Sequence, residues 1–279
     1  MASKAELRST LEARRRALTP DEVAAASRAV LEQLQQTVDW SSVGSVHVYR
    51  SVPEWGELDT SALVEWLAEE WPEIEVVQPT LSKDQPFPEQ QFDLILVPAL
   101  GFDRENNRLG LGAGWYDRFV GQQPRARKIG IAYEWALVED GIPVEPWDMK
   151  LHRIITPRAD PIRLHLARRE VGEHVIDGGL DYLVRGWERL AAGVEGGSKQ
   201  WVWEEWMNYL DGREIIQDLL DNVPESSAVI AAVEQADKRF AASTTPTDEC
   251  EWGEENATRR GWTREKNWWY WRKPPTPYE

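Results

Sequence analysis

Asn107-Arg108-Leu109-Gly110-Leu111-Gly112-Ala113-Gly114-Trp115-Tyr116-Asp117-Arg118 follows an apolar run, Asp93-Leu94-Ile95-Leu96-Val97-Pro98, and opens a helix-forming stretch. Strand, glycine turn and helix in that order predict a unit whose loop can hold an anion. Glycines at alternate positions let the backbone approach a phosphate without side-chain obstruction, and the N–H groups of a turn entering a helix carry partial positive charge. Arg108 adds a fixed cation beside them. A bare alternation of glycines also serves turns that only join a strand to a helix.

On either side of that loop, strand and helix patterns alternate. Leu94 to Val97 is continuously apolar, as a strand buried on both faces requires, and Ile129-Gly130-Ile131 is a second such run. Val46-His47-Val48-Tyr49 and Ile74-Glu75-Val76-Val77 read as strands, with a helix between them through Leu63, Val64 and Leu67 that Asp59 or Thr60 can cap. Two helices open the chain. Leu7, Leu11 and Leu18 share a face of the first; Thr19-Pro20-Asp21-Glu22 gives the second a cap, a proline at its first position and an acid at its third, ahead of Val23, Val30, Leu31 and Leu34. This order predicts an α/β fold of three layers, with a mostly parallel sheet covered on both faces by helices. Ligands of such folds bind beyond the carboxyl ends of the strands, where the glycine loop lies.

The extended string resembles the signature of the 5-formyltetrahydrofolate cyclo-ligase (methenyltetrahydrofolate synthetase) family, which reads close to R-L-G-x-G-x-G-Y-Y-D-R after a strand ending V-P-G/A-L-x-F-D. Here the strand exit is Val97-Pro98-Ala99-Leu100-Gly101-Phe102-Asp103. The likeness extends to a basic first helix beginning at Lys4, to Glu57-Leu58-Asp59-Thr60, to Lys128-Ile129-Gly130-Ile131-Ala132-Tyr133, and to Pro143-Val144-Glu145 leading to Asp148-Met149-Lys150; it covers residues 1–157. The resemblance implies a cyclo-ligase-like fold and the conversion of 5-formyltetrahydrofolate and ATP to 5,10-methenyltetrahydrofolate, ADP and phosphate.

Site roles follow from the same resemblance. Lys4 and Arg8, one helical turn apart, match family residues that contact ATP, and the nucleotide loop maps onto Arg108, Leu109, Gly110, Leu111, Gly112, Ala113, Gly114, Trp115 and Tyr116. Arg108 and Tyr116 are the catalytic candidates; Trp115 stands where the family usually has tyrosine and keeps an aromatic face. Asp117 and Asp148 match the family's Mg²⁺-linked aspartates, and Mg²⁺ prefers one or two carboxylates with phosphate and water oxygens. Glu57 matches an acid that contacts the folate, where a carboxylate can accept the paired N–H donors of a pterin. Arg50 occupies another substrate-contact position, although an apolar residue is usual there. Arg14, Arg15 and Arg16 read as surface charges.

One departure concerns the substrate. Between the positions of Pro79 and Asp93 family members carry several dozen residues, including an apolar wall for the folate, whereas this chain has only residues 80–92. A relative that has lost the reaction and serves as a nucleotide- or folate-binding interaction protein is therefore the alternative reading.

Beyond residue 157 no family pattern is evident. Leu164 through Leu190 reads as helical with an interruption at Gly178-Gly179, and Gly193-Val194-Glu195-Gly196-Gly197-Ser198 reads as flexible, so the expected organisation is 1–157, a helical connector and linker over 158–195, and a mainly helical, tryptophan-rich 196–279. Helical patterns recur around Ile215-Ile216-Leu219-Leu220 and from Ser227 to Phe240. Trp262 to Trp271 sets four tryptophans among Arg264, Lys266 and the following Arg272, which favours packing, a protein partner or self-association over base stacking.

Composition agrees with that preference. With 48 acidic against 32 basic residues and a formal charge of −16, neither nucleic acid nor an anionic membrane is an expected partner. The first residues lack the apolar centre of a secretory signal and no stretch approaches the roughly 20 apolar residues of a membrane span, so a cytoplasmic location is expected. A lone Cys250 excludes an intrachain disulfide and a thiolate metal cluster. His47, His152, His165 and His174 lack metal-ligand spacing, and no hydrolase triad is recognisable.

Overall fold

The structure, a computed structural model, describes residues 2–79, 87–197, 200–224 and 227–276. It divides into two compact units, Met1–Asp160 and Pro161–Glu279.

In the first unit, helices α1 (Lys4–Arg16) and α2 (Pro20–Thr37) precede β1 (Ser45–Val48), α3 (Ser61–Glu70), β2 (Glu75–Val77), β3 (Leu94–Pro98), β4 (Gly101–Phe102), β5 (Arg108–Leu109), α4 (Trp115–Gly121), β6 (Arg127–Ile131) and β7 (Arg153–Ile155). Both opening helices begin in capping boxes: Ser3 with Glu6, and Thr19 with Glu22, each hydroxyl accepting from the N3 amide while the N3 carboxylate accepts from the cap amide. Asp59 accepts from the Ser61 amide at 3.1 Å and so supplies the turn into α3.

Five strands form one parallel sheet in the order β2-β1-β3-β6-β7. Central β3 explains the three layers, because its alternate side chains enter two different cores. Leu94 and Leu96 pack with Leu11 of α1, Leu34 of α2 and Leu63 and Leu67 of α3. Ile95 and Val97 pack with Phe92, Phe119 and Val120, on the face covered by α4. Complete burial of both faces is why this strand is apolar at every position.

The antiparallel β4–β5 hairpin carries no periodicity that a sequence could display, since each strand has two residues. Its turn is organised by Asp103, whose carboxylate accepts from the amides of Glu105, Asn107 and Ile142. The hairpin delivers Arg108 and Leu109 to the start of the glycine loop. Of the short segment between Pro79 and Asp93, residues 80–86 lie outside the described residues.

The second unit contains α5 (Pro161–Arg168), α6 (Glu173–Glu195), α7 (Trp203–Asn222), α8 (Ser227–Ser243), β8 (Thr245–Pro246), α9 (Glu254–Arg260) and β9 (Arg272–Lys273). α6 bends at Gly179, as its paired glycines suggest. Gly193 to Glu195, read as the start of a flexible stretch, instead complete α6: Gly193 faces Trp201, whose ring would meet an added Cβ at 3.2 Å. The tryptophan-rich segment turns inward. Trp187, Trp206, Phe240 and Trp269 are fully buried together, and Arg213 lies 4.4 Å over the Trp269 ring while pairing with Asp237 at 2.8 Å. Among the described residues no helix is long and apolar enough to cross a membrane.

Candidate active site

A cavity of ≈ 520 Å³ opens in the first unit beyond the carboxyl ends of β1, β2 and β3, where Tyr49 and Arg50, Pro79, and Pro98 and Leu100 respectively reach its wall. Lys4, Arg8, Arg50, Glu57, Arg108 to Asp117 and Asp148 all line it. Side chains from α1, the turn after β1, the β5–α4 loop and the segment before β7 thus converge, although up to 144 residues separate hydrogen-bonded partners.

The cations are held by carboxylates and backbone. Lys4 Nζ donates to Glu145 Oε2 at 2.7 Å and to Asp148; burial alone would depress the ammonium, but these two acids outweigh it and its pKa is raised. Arg8 Nε donates to the Gly110 carbonyl at 2.9 Å, which ties α1 to the loop. Gly112 has φ +99°, a backbone conformation that residues with a side chain rarely adopt, so the path of the loop past the Arg8 guanidinium favours glycine here. Arg108, 9% exposed, pairs with Asp117 at 3.0 Å and lies 5.7 Å over the Tyr116 ring.

Elsewhere in the cavity wall stands a buried carboxylate. Glu57 is 7% exposed; its Oε2 accepts from the Val52 amide at 2.9 Å and its Oε1 stands 3.8 Å from Arg15 Nη2. Burial raises the Glu57 pKa against the opposing pull of the Val52 N–H and Arg15. The Tyr116 phenol is driven up by burial and stays protonated, which makes it a donor and not a base. Behind Trp115 and Tyr116 lies His47, fully buried among Phe92, Phe119 and these two rings, with neither ring nitrogen hydrogen-bonded. Burial lowers its pKa to about 4, so it is a neutral packing residue at ordinary pH.

Arg15 requires a correction. Read as a surface charge, it is 5% exposed and lines the cavity. Its spacing held the signal: Lys4, Arg8, Leu11 and Arg15 recur at helical intervals and therefore share the inward face of α1. Its neighbours differ, since Arg14 stacks 4.5 Å over Trp135 and Arg16 is exposed. Trp55, Glu145 and Trp147 also line the cavity and were not singled out as site residues; Trp55 ends a single 3-10 turn and Trp147 stands in a loop, where no periodicity marks them.

A parallel sheet covered on both faces, with a cation-lined cavity at its carboxyl edge, defines an α/β protein suited to an anionic ligand. The chain belongs to the 5-formyltetrahydrofolate cyclo-ligase family, whose description matches residues 1–83 and 70–157. It is 29% identical to the 5-formyltetrahydrofolate cyclo-ligase of Escherichia coli K12 over 175 residues, 52% of this chain and 94% of the relative. Those 175 positions exceed the share of this chain that they cover, so the relative has residues that this chain lacks. Over 70 residues it is 43% identical to the Mycoplasma pneumoniae cyclo-ligase, covering 25% of this chain and 42% of that one. The solved 5,10-methenyltetrahydrofolate synthetase of M. pneumoniae aligns with 56% of this chain and 100% of its own at 27% identity and a TM-score of 0.49.

Proposed function

We propose that this protein converts 5-formyltetrahydrofolate and ATP to 5,10-methenyltetrahydrofolate, ADP and phosphate in the cavity described above. The observation that carries the reading is convergence: Lys4, Arg8, Glu57, the loop from Arg108 to Asp117 and Asp148 meet in one cavity of ≈ 520 Å³, in a chain of the cyclo-ligase family.

A formamide carbonyl carbon is a weak electrophile and its oxygen leaves poorly. Transfer of the γ-phosphoryl group to that oxygen, with ADP departing, turns it into a phosphate ester. N10 then attacks the activated carbon, its proton is lost, and C–O cleavage releases phosphate and leaves the N5–C–N10 amidinium. Little of this needs an acid or base from the protein, so alignment and charge neutralisation dominate. Lys4, Arg8 and Arg108 hold the triphosphate, and the glycine loop lets its backbone approach. Glu57 orients the folate, and the protonated Tyr116 donates near the formyl oxygen. Arg50, exposed at the rim, reaches the substrate's outer part.

Mg²⁺ fits as a companion of the phosphates. Among the described residues no group of three or more acidic, histidine or cysteine side chains makes a resident metal centre. Asp117 and Asp148 are partly accessible carboxylates on the same wall and would hold the ion together with phosphate oxygens, as Mg²⁺ prefers. Bound there, the ion supplies neutralisation of charge on the transferring phosphoryl group.

Incubation of the purified protein with 5-formyltetrahydrofolate and Mg-ATP tests the reading through the near-ultraviolet absorbance of the methenyl product. We expect product with one ADP per turnover, and Arg108→Ala to lower kcat by about 100-fold or more. The residues lacking relative to the E. coli protein favour one competing reading, a binding protein without turnover. Nucleotide binding with no methenyl product under varied conditions would establish it.

A further inference from the structure

Arg15 is a buried cation whose hydrogen bonds are unmade. Its Nε has no hydrogen-bond partner, and Nη2 stands 3.8 Å from Glu57 Oε1, an ion-pair separation beyond hydrogen-bond range. Burial weighs against the charged form and Glu57 favours it. A guanidinium carries five donors, and a buried Nε–H left unbonded is costly. A ligand entering the cavity can complete the arrangement.

The position is fixed from two sides. Gly56 has φ +64°, and an added Cβ would lie 2.5 Å from the Arg15 carbonyl oxygen, so the turn bearing Glu57 sits directly on the last turn of α1. That turn is closed by Trp55 N–H to Val52 O at 3.0 Å and Gly56 N–H to Pro53 O at 2.9 Å, while Tyr133 Oη donates to the Gly56 carbonyl at 3.0 Å. Both side chains line the cavity. It therefore meets a rigid acceptor pair beside a rigid donor fork.

The complement of that surface is a flat heterocycle whose edge carries an exocyclic amine, a ring N–H and a carbonyl oxygen in succession. We infer that Arg15 and Glu57 together read the 2-amino-4-oxo edge of the pterin, with Glu57 accepting from the amine and ring N–H and Arg15 donating to the 4-oxo oxygen. The inference rests on the folate reading above and adds to it a residue that sets specificity. Guanine presents the same edge, so the test must separate the two.

Calorimetric titration of the full chain with 5-formyltetrahydrofolate, its 4-amino-4-deoxy analogue and guanosine does so, with ATP titrated separately. Wild type should bind the 4-oxo compound about 10- to 100-fold tighter than the 4-amino analogue, as expected for a hydrogen bond to a charged donor, and guanosine far more weakly. In Arg15→Met the ratio between the two folates should fall about 10-fold with ATP affinity unchanged, the remaining preference being that of Glu57 for the ring N–H which the 4-amino analogue lacks, and Arg15→Lys should restore part of the loss. A ratio preserved in Arg15→Met, with methenyl formation intact in wild type, overturns this inference alone. Guanosine binding tighter than the folate also overturns it. If Arg15→Met fails to fold, Arg15→Lys and the wild-type ratio decide. A wild type that binds neither folate removes the substrate reading and this inference with it.

Discussion

At position 57 a carboxylate has been withdrawn from water beside one cation, Arg15, and three phenols, Tyr49, Tyr116 and Tyr133. Burial raises its pKa, so on acidification it takes up a proton earlier than an exposed glutamate. The proton removes an acceptor, and the sign follows: the KM for folate should rise as pH falls, beginning above the ordinary carboxylate range of about 4.3, while the KM for ATP holds steady. Glu57→Gln should raise the folate KM about 10- to 100-fold at neutral pH and flatten that acid limb. KM measured against pH at saturating ATP checks both; an unchanged acid limb in the variant would assign the titration elsewhere. The residues of this site were legible in the sequence to the extent that they sit in a motif. Lys4, Arg8, Glu57 and the loop through Asp117 were readable that way, and they line one cavity. Arg15 was not, because a run of three arginines looks solvated until the helical phase singles out its middle member.

Helix α1 shows the same physics at the scale of an element. It places Lys4, Arg8 and Arg15 along one inward face, with Leu11 between them in the core of the sheet. Its first turn depends on Ser3, whose hydroxyl accepts from Glu6 N while Glu6 answers to the Ser3 amide at 2.8 Å. Ser3→Ala should cost about 1 kcal/mol of stability. Fraying falls off within a turn or so, so the loss should reach Lys4 and spare Arg15. We therefore expect a lower urea midpoint together with a several-fold higher KM for ATP and an unchanged KM for folate; a rise in both would mean that the whole helix shifts. Caps, proline and apolar spacing made α1, α2 and β3 readable in the sequence. The β4–β5 hairpin was not, since two-residue strands depend on the buried Asp103 carboxylate and on no periodic pattern. The end of α6 was misread for a related reason: Gly193 breaks helices by propensity, and contact with Trp201 overrides it.

For the whole molecule, acidity and function pull in different directions. A formal charge of −16 repels polyanions at long range, yet the cavity concentrates Lys4, Arg8, Arg15, Arg50, Arg108 and Arg118 at short range. In the proposed reaction the triphosphate is therefore selected locally, by Lys4 and Arg8 from α1 and Arg108 from the glycine loop, with Arg15 and Arg50 left to the folate. The second unit encloses its own core of tryptophans, leucines and Phe240, with polar anchors such as Trp187 Nε1 to Asp237 at 2.8 Å. The sequence favoured packing or a protein contact over base stacking for the tryptophans of its last segment but did not choose between the first two, because aromatics among charges suit a core and an interface equally; Trp269 and Trp271 face inward. On the proposed mechanism, the first unit makes an inert formyl oxygen leave. Substrate carrying heavy oxygen in the formyl group tests this directly, with the released phosphate analysed by mass spectrometry. The account predicts the label in phosphate, stoichiometric with the methenyl product. Methenyl product accompanied by unlabelled phosphate, or ATP consumed with no methenyl product, would contradict it.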